Sequence, residues 1–374
     1  MIYLDNAATT YPKPEVVYEA LDDANRNHAF NAGRGSYGAA AEASAVIEET
    51  RDRVGALVGA PASSVVFTAS ATDALNQIIN GLGLRKGDTV FVSPFEHNAI
   101  IRPLHLLQEK EGFEIKVIPF DAETWEFDED SFADMLAMSK VKAVFVSQVS
   151  NVTGYILPYD RIFNTSSEFG AISILDASQG LGVIDVDAAN VDFVVFAGHK
   201  SLYASFGVAG FVARRKYDLS VVKAGGTGSD SLNPEMPESY PSRYEAGSPN
   251  IVAVYGLNAA LKWREGKNIE KEEQALTDYL VDQLETLDNV IIFRGEDIRP
   301  FGVVSFAVEG YTSADVGTIL ADEFDIAVRT GYHCAPLVHD FIESKEFGGT
   351  VRASLSCFST KQDVDSLISA IESL

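Results

Sequence analysis

Lys200 closes the run Phe196-Ala197-Gly198-His199-Lys200, directly after an apolar stretch. An amine just past a buried strand stands where a reacting carbonyl could sit, and in its neutral form it is nucleophilic enough to form a Schiff base. Taken alone, it reads equally as a loop lysine. About one strand–helix unit earlier, Asp176 ends the apolar run of Ile174-Leu175 and precedes Ala177-Ser178-Gln179. A carboxylate in an apolar sheet needs a cationic partner. The protonated nitrogen of a pyridine ring is one such partner, and the pairing keeps the ring an electron sink; a helix cap is the alternative. In Thr68-Ala69-Ser70-Ala71-Thr72-Asp73, small and hydroxylated residues open a helix whose free N–H groups and dipole suit a phosphate, or whose Ser70 or Thr72 is an ordinary cap. His97, in Glu96-His97-Asn98, could stack on a flat ring and move protons near neutrality, or be structural.

Two further residues belong to the C-terminal third. Cys334 lies in Arg329-Thr330-Gly331-Tyr332-His333-Cys334-Ala335-Pro336, where positive charge on Arg329 and His333 is expected to favour the thiolate. The other reading is a small buried cysteine, and Cys357 takes it, because Ala353, Leu355 and Cys357 alternate along one side of an expected strand. Arg352, in Val351-Arg352-Ala353, offers a two-bond fork to a carboxylate, or is a solvated charge. Each motif is weak alone; their order along the chain, at 72, 97, 176, 200, 334 and 352, is not.

Such groups need strands that end at one edge. β-Branched runs at 64–68, 89–92, 114–119, 143–148, 172–176, 193–197 and 209–213 alternate with helical stretches such as 98–109, 131–138 and 160–169. That alternation predicts an α/β fold with a largely parallel sheet covered on both faces and catalytic groups at the carboxyl ends of its strands. After a Gly/Ser/Pro-rich loop at 225–250 the pattern changes to helices at 252–264, 269–287, 314–323 and 361–374 around strands near 290–293, 303–308 and 327–329. This predicts a smaller α+β domain.

A chain of 374 residues is too long for one ordinary core, which agrees with two domains. The net charge of −25 argues against nucleic acid as a partner, so any phosphate must sit in a local pocket. No apolar stretch is long enough to span a bilayer, and Met1 to Asn6 shows no signal-peptide pattern. With only Cys334 and Cys357, neither a disulfide framework nor a metal site is expected, and a cytoplasmic, thiol-reducing setting is. No G-x-G-x-x-G follows the first strand, which argues against a nicotinamide-dependent enzyme.

The ordered motifs resemble the class V aminotransferase family of fold-type-I pyridoxal-phosphate enzymes, and within it the cysteine desulfurases and selenocysteine lyases. Three further segments are similar to that family: Tyr3-Leu4-Asp5-Asn6-Ala7-Ala8, Gln148-Val149-Ser150-Asn151-Val152-Thr153-Gly154 and Arg243-Tyr244-Glu245-Ala246-Gly247-Ser248-Pro249-Asn250. The form around Cys334 resembles the short-loop desulfurases. The resemblance implies a large cofactor-binding domain over 15–250 and a small domain made of 1–14 and 251–374. It implies that Lys200 forms the Schiff base with pyridoxal 5'-phosphate, Asp176 pairs with the ring nitrogen, Gln179 bonds the ring's phenolic oxygen and His97 stacks on the ring. Thr72 and His199 would hold the phosphate, with Ser248 reaching the partner's phosphate across a homodimer. Asn151 would contact cofactor and substrate, Arg352 and Arg329 would bind substrate, and Cys334 would take sulfur as a persulfide.

Departures from the family pattern are Ala197 and Ala71, where phosphate-binding hydroxyls are common, and Tyr37, where many short-loop members carry histidine. The run Gly225-Gly226-Thr227-Gly228-Ser229 resembles a less characterised branch. The expected reaction is conversion of L-cysteine to L-alanine, with a sulfur-acceptor protein as a possible partner. The alternatives are selenocysteine cleavage, another lyase or transaminase reaction of the same family, or a scaffold that has lost turnover, against which intact Lys200, Asp176 and Arg352 argue.

Overall fold

The computed structural model describes residues 1–33, 35–215, 217–228 and 232–374. After β1 (Ile2–Tyr3) come α1 (Glu15–Asp23) and α2 (Gly38–Ala56). The inward face of α2 includes the small residues Ala40, Ala43 and Gly55, so its apolar stripe is faint in sequence. The alternating region then runs β2 (Val65–Thr68), α3 (Ala71–Gly81), β3 (Thr89–Val92), α4 (Asn98–Glu111), β4 (Glu114–Val117), α5 (Glu129–Ala137), β5 (Val141–Ser147), α6 (Tyr159–Ser167), β6 (Ile172–Asp176), β7 (Phe193–Ala197) and β8 (Ala209–Ala213).

These strands form a seven-stranded sheet in the order β2-β8-β7-β6-β5-β3-β4. Its pairings are parallel except those of β8, which runs antiparallel to β7 and β2. Successive side chains of a strand point to opposite faces. Val144 and Val146 of β5 thus join Leu175, Val194 and Phe196 in one core, while Ala143 and Phe145 join Ile174, Phe193 and Val195 in the other. Because both faces are covered, the central strands read as continuous apolar runs.

Helix α7 (Ile251–Arg264) shares the first of these cores, setting Val254, Leu257 and Leu261 with Val17, Ile47 and Val54. The rest comprises α8 (Ile269–Leu284), β9 (Val290–Ile292), β10 (Val303–Val308), α9 (Ser313–Phe324), β11 (Ile326–Ala327), β12 (Arg329–Gly331), α10 (Val338–Phe341), β13 (Thr350–Ser354) and α11 (Lys361–Glu372). Strands β12-β13-β10-β9 make an antiparallel sheet, and β1 pairs in parallel with β11. Leu4 is buried there with Leu280, Phe306, Leu320, Val351 and Leu367. Thr312 with Asp315, and Thr360 with Asp363, form capping boxes that start α9 and α11.

Two local expectations change. The single strand near 327–329 is two strands in different sheets, β11 and β12. The strand expected to carry Cys357 ends at Ser354, because Ser356 and Ser359 close a turn through Ser359 N–H to Ser356 O (2.9 Å) and Ser356 N–H to Ser359 Oγ (3.1 Å). Cys357 leaves the alternation and packs beside Tyr203 and Trp263. Among the described residues no helix is long and apolar enough to cross a membrane.

Candidate active site

The carboxyl ends of β3, β5, β6 and β7 converge on one edge of the large sheet, and there a cavity of about 280 Å³ opens toward β12 and β13. Thr72, His97, Asn151, Asp176, Gln179, His199, Lys200, Arg329, Cys334 and Arg352 all line it. Ser248 does not; it lines a second cavity of about 260 Å³ with Thr68, Ala69 and Asp73. Arg34 and Ser229 lie outside the described residues. Among the described residues no cluster of His, Cys, Asp and Glu could hold a metal ion.

Asp176 is the last residue of β6, in register with Ser147 at the end of β5. Its Oδ1 accepts from Ser178 N–H (3.0 Å) and Ser178 Oγ (2.5 Å). Lys200 follows β7 in a turn closed by Tyr203 N–H to Lys200 O (2.8 Å). Burial pushes the Lys200 amine down from its ordinary range, with the Asp176 charge opposing. His97 caps α4: its Nδ1 accepts from Ala99 N–H at 3.0 Å. Burial first, then the charge of Lys200, lowers this ring to about 4. It is therefore neutral, with its proton on Nε2, the nitrogen available to a ligand. His199 is also lowered to about 4 by burial, and its ring stacks on Phe206 at 4.4 Å. Gln179 Nε2 donates to Ala7 O (3.0 Å), and the helix of Thr72 is capped by Ser70 Oγ accepting from Asp73 N–H (3.1 Å).

Arg352 is buried, so it needs partners. Its Nη2 donates to Asp5 Oδ1 (2.7 Å) and its Nη1 to Asn151 O (2.8 Å). Asn151 Nδ2 in turn donates to His333 O (2.8 Å), and Asn98 N–H donates to Cys334 O (2.6 Å). The thiol loop is thus tied to β5, α4 and, through Arg352, to β13. His333 and Cys334 both hold left-handed backbone, φ 44° and 57°, at a cost of about 1–3 kcal/mol each, which those ties offset. Cys334 itself is exposed. One expectation fails here. The His333 ring is buried against Thr350, with Nε2 2.8 Å from Thr350 Oγ1, and burial holds it neutral. The arginines that share the cavity with Cys334 are Arg329 and Arg352.

The chain is similar to known proteins over almost its whole length. Residues 2–367 match the family model described as aminotransferase class-V. The chain belongs to the class V aminotransferase family. It is 32% identical to a probable cysteine desulfurase of Vibrio cholerae, over 99% of this chain and 93% of that one. It superposes on the apo cysteine desulfurase of Thermococcus onnurineus with a TM-score of 0.90 at 29% identity, covering 100% of this chain and 94% of the other. The cysteine desulfurase CsdA of Escherichia coli gives a TM-score of 0.86, also at 29% identity, over 100% and 94% of the two chains.

Class V aminotransferases are pyridoxal-phosphate enzymes, and the residues here fit that cofactor. A buried amine stands within electrostatic reach of a strand-end carboxylate, and a capped helix start lines the same cavity. His199 Nδ1 and Arg352 Nε are buried without a partner among the described residues, two groups prepared for ligand atoms. Some residues of this site escaped sequence reasoning. Asp5 was legible only as part of a motif, not as the partner of an arginine 347 positions away. Ser178, Ser147 and Glu96 hold the strand ends and gave no separate signal. Glu96, fully buried, accepts from Ser93 Oγ (2.5 Å), Ser147 N–H (2.7 Å) and Ser147 Oγ (2.8 Å).

Proposed function

We propose that this chain is a cysteine desulfurase that converts L-cysteine to L-alanine and takes the sulfur onto Cys334 as a persulfide. The observation that carries this reading is one cavity lined by an exposed thiol, a buried amine and a buried guanidinium whose Nε–H has no partner among the described residues. Pyridoxal phosphate, when bound, supplies the electron sink that makes the substrate's α-proton removable. Lys200 would hold it covalently, Asp176 its ring nitrogen, Gln179 its phenolic oxygen, and Thr72 and His199 its phosphate. His97 would stack on the ring, with its Nε2–H free to donate.

Arg352 receives the substrate carboxylate on Nε, while Asp5 and Asn151 keep the guanidinium in place. Arg329, exposed at the same cavity, adds a second cation for the substrate. The Lys200 amine, whose neutral form burial favours, would take the α-proton. Cys334, its loop held by Asn98 and Asn151, would then bond to the substrate sulfur as the substrate's Cβ–S bond breaks and its electron pair passes to the carbon that becomes alanine. Both cysteines are free, consistent with work in a thiol-reducing cytoplasm and with delivery of the persulfide to an acceptor protein.

The test is alanine and persulfide formation from L-cysteine, with selenocysteine in parallel. Cys334→Ser should keep the cofactor's visible absorbance, lose persulfide and lose most alanine from cysteine, while Cys357→Ser changes neither. Borohydride should fix the cofactor to Lys200. Undiminished cysteine turnover in Cys334→Ser would leave only a lyase or transaminase reading.

A further inference from the structure

Behind the candidate site lies a buried cluster that the proposed reaction does not use. Tyr203, three residues after Lys200, is 1% exposed, and its backbone is left-handed at φ 59°. A bulky residue adopts that conformation only where its surroundings hold it. Its ring packs on Trp263 (5.4 Å) and Phe358 (5.9 Å). Its hydroxyl donates to Glu273 Oε1 of α8 and accepts from Cys357 N–H at 2.9 Å. Desolvation keeps this phenol far above its ordinary range, so it stays a donor.

The surroundings make this contact mechanically significant. A cavity of about 30 Å³, lined by Gln179, Ser201, Tyr203, Glu273, Phe301 and Leu355 among others, separates the Lys200 turn from β10 and the end of β13. Packing is interrupted there, and the phenol bridges the gap. On one side Tyr203 N–H closes the Lys200 turn. On the other, Cys357 follows the strand that carries Arg352, and Leu355 N–H bonds Gly302 O (2.8 Å) beside β10.

We propose that Tyr203 is a positioning residue: its phenol, gripped by Glu273 and Cys357 N–H, sets the turn of Lys200 relative to the strand of Arg352. The inference rests on the roles proposed above for those two residues. It deepens that reading by making the distance between amine and carboxylate anchor depend on a bond outside the cavity. Glu273 gives it a pH signature. Its carboxyl is pushed up to about 7, mainly by burial, against the bonds from Tyr203 and Cys357 N–H, with Glu272 as the nearby like charge. The thiol of Cys357, itself pushed up to about 11, stays neutral.

The test uses the protein loaded with pyridoxal phosphate. Tyr203→Phe removes one oxygen and keeps the ring. It should retain cofactor absorbance, shift the pH at which that absorbance changes, and lower kcat for L-cysteine by about ten- to a hundredfold with a smaller change in KM. Glu273→Leu should reproduce the defect, and the double variant should be no worse than either single one. Glu273→Gln keeps an oxygen that accepts from the phenol; it should restore most turnover and remove the kinetic step near pH 7. Wild-type kcat and absorbance titration in Tyr203→Phe would overturn the proposal. So would multiplying losses in the double variant, or a lowered melting temperature with kcat unchanged. Should Tyr203→Phe not fold, the Glu273→Leu and Glu273→Gln pair decides by the same criteria. Borohydride fixation at a lysine other than Lys200 would sink the underlying reading, whereas fixation at Lys200 beside an unaltered Tyr203→Phe sinks the positioning role alone.

Discussion

Glu96 sits beside His97, fully buried, and clasps the end of β5 through both its carboxylate oxygens. Burial pushes its carboxyl up to about 8, against the bonds from Ser93 and Ser147, with Asp176 adding repulsion. The folded chain therefore holds this proton more tightly than the unfolded chain does. The resulting stability is fully present below the ordinary glutamate value of about 4.5 and is lost as pH rises through about 8. Glu273, pushed up to about 7, acts in the same direction. We expect the melting temperature to fall as pH rises from about 5 to about 8, and Glu96→Gln, which cannot ionise, to flatten that fall. A Glu96→Gln curve parallel to wild type would show that another group governs the alkaline loss.

At the scale of elements, the segment around Ser248 is tied to β2 by a buried ion pair. Arg51 of α2 donates Nη1 to Val65 O (2.6 Å) and to Glu245 Oε1 (2.7 Å), and Nη2 to Glu245 Oε2 (2.5 Å). Glu245 also accepts from Phe67 N–H (2.5 Å), and the guanidinium lies 4.7 Å from the Phe67 ring. Removing one member of such a pair strands a buried charge. Arg51→Met should therefore cost about 3 kcal/mol in urea unfolding, and Arg51→Met with Glu245→Leu should regain part of it. A single-variant loss below about 1 kcal/mol would place the pair among weak surface bridges. The pair also explains why α2, faint as an amphipathic pattern, is firmly seated: it packs through Ile47 and Val54 and through this charge.

For the whole molecule, the expected homodimer can be tested through Ser248. It flanks the loop between β2 and α3 from a cavity separate from the one holding Lys200. A homodimer that sends Ser248 to the partner's phosphate accounts for this, and closed two-fold dimers are common. Light scattering should give twice 40.4 kDa. Ser248→Asp should weaken cofactor binding by like-charge repulsion. Mixing it with Lys200→Ala subunits should restore one intact site per mixed dimer, because the Lys200→Ala chain still supplies Ser248. No restoration on mixing would mean that Ser248 acts within its own chain or not at all.

The sequence by itself determined the strand–helix alternation, the edge at which the chemistry collects, and the candidate residues in order. Those features are local: strand period, capping hydroxyls and the residue just past a strand end are written in near neighbours. Lys200 and Asp176 could be picked out because Ile174-Leu175 of β6 and the apolar run of β7 stop just before them. Tertiary structure alone decided which buried groups meet. Nothing near Arg352 predicts Asp5, nothing near Tyr203 predicts Glu273, and the neutral His333 turned onto Thr350 reverses what its place beside Cys334 suggests. A buried charge or hydroxyl must be satisfied by whatever chain segment the fold brings alongside, and that segment's distance along the sequence is arbitrary.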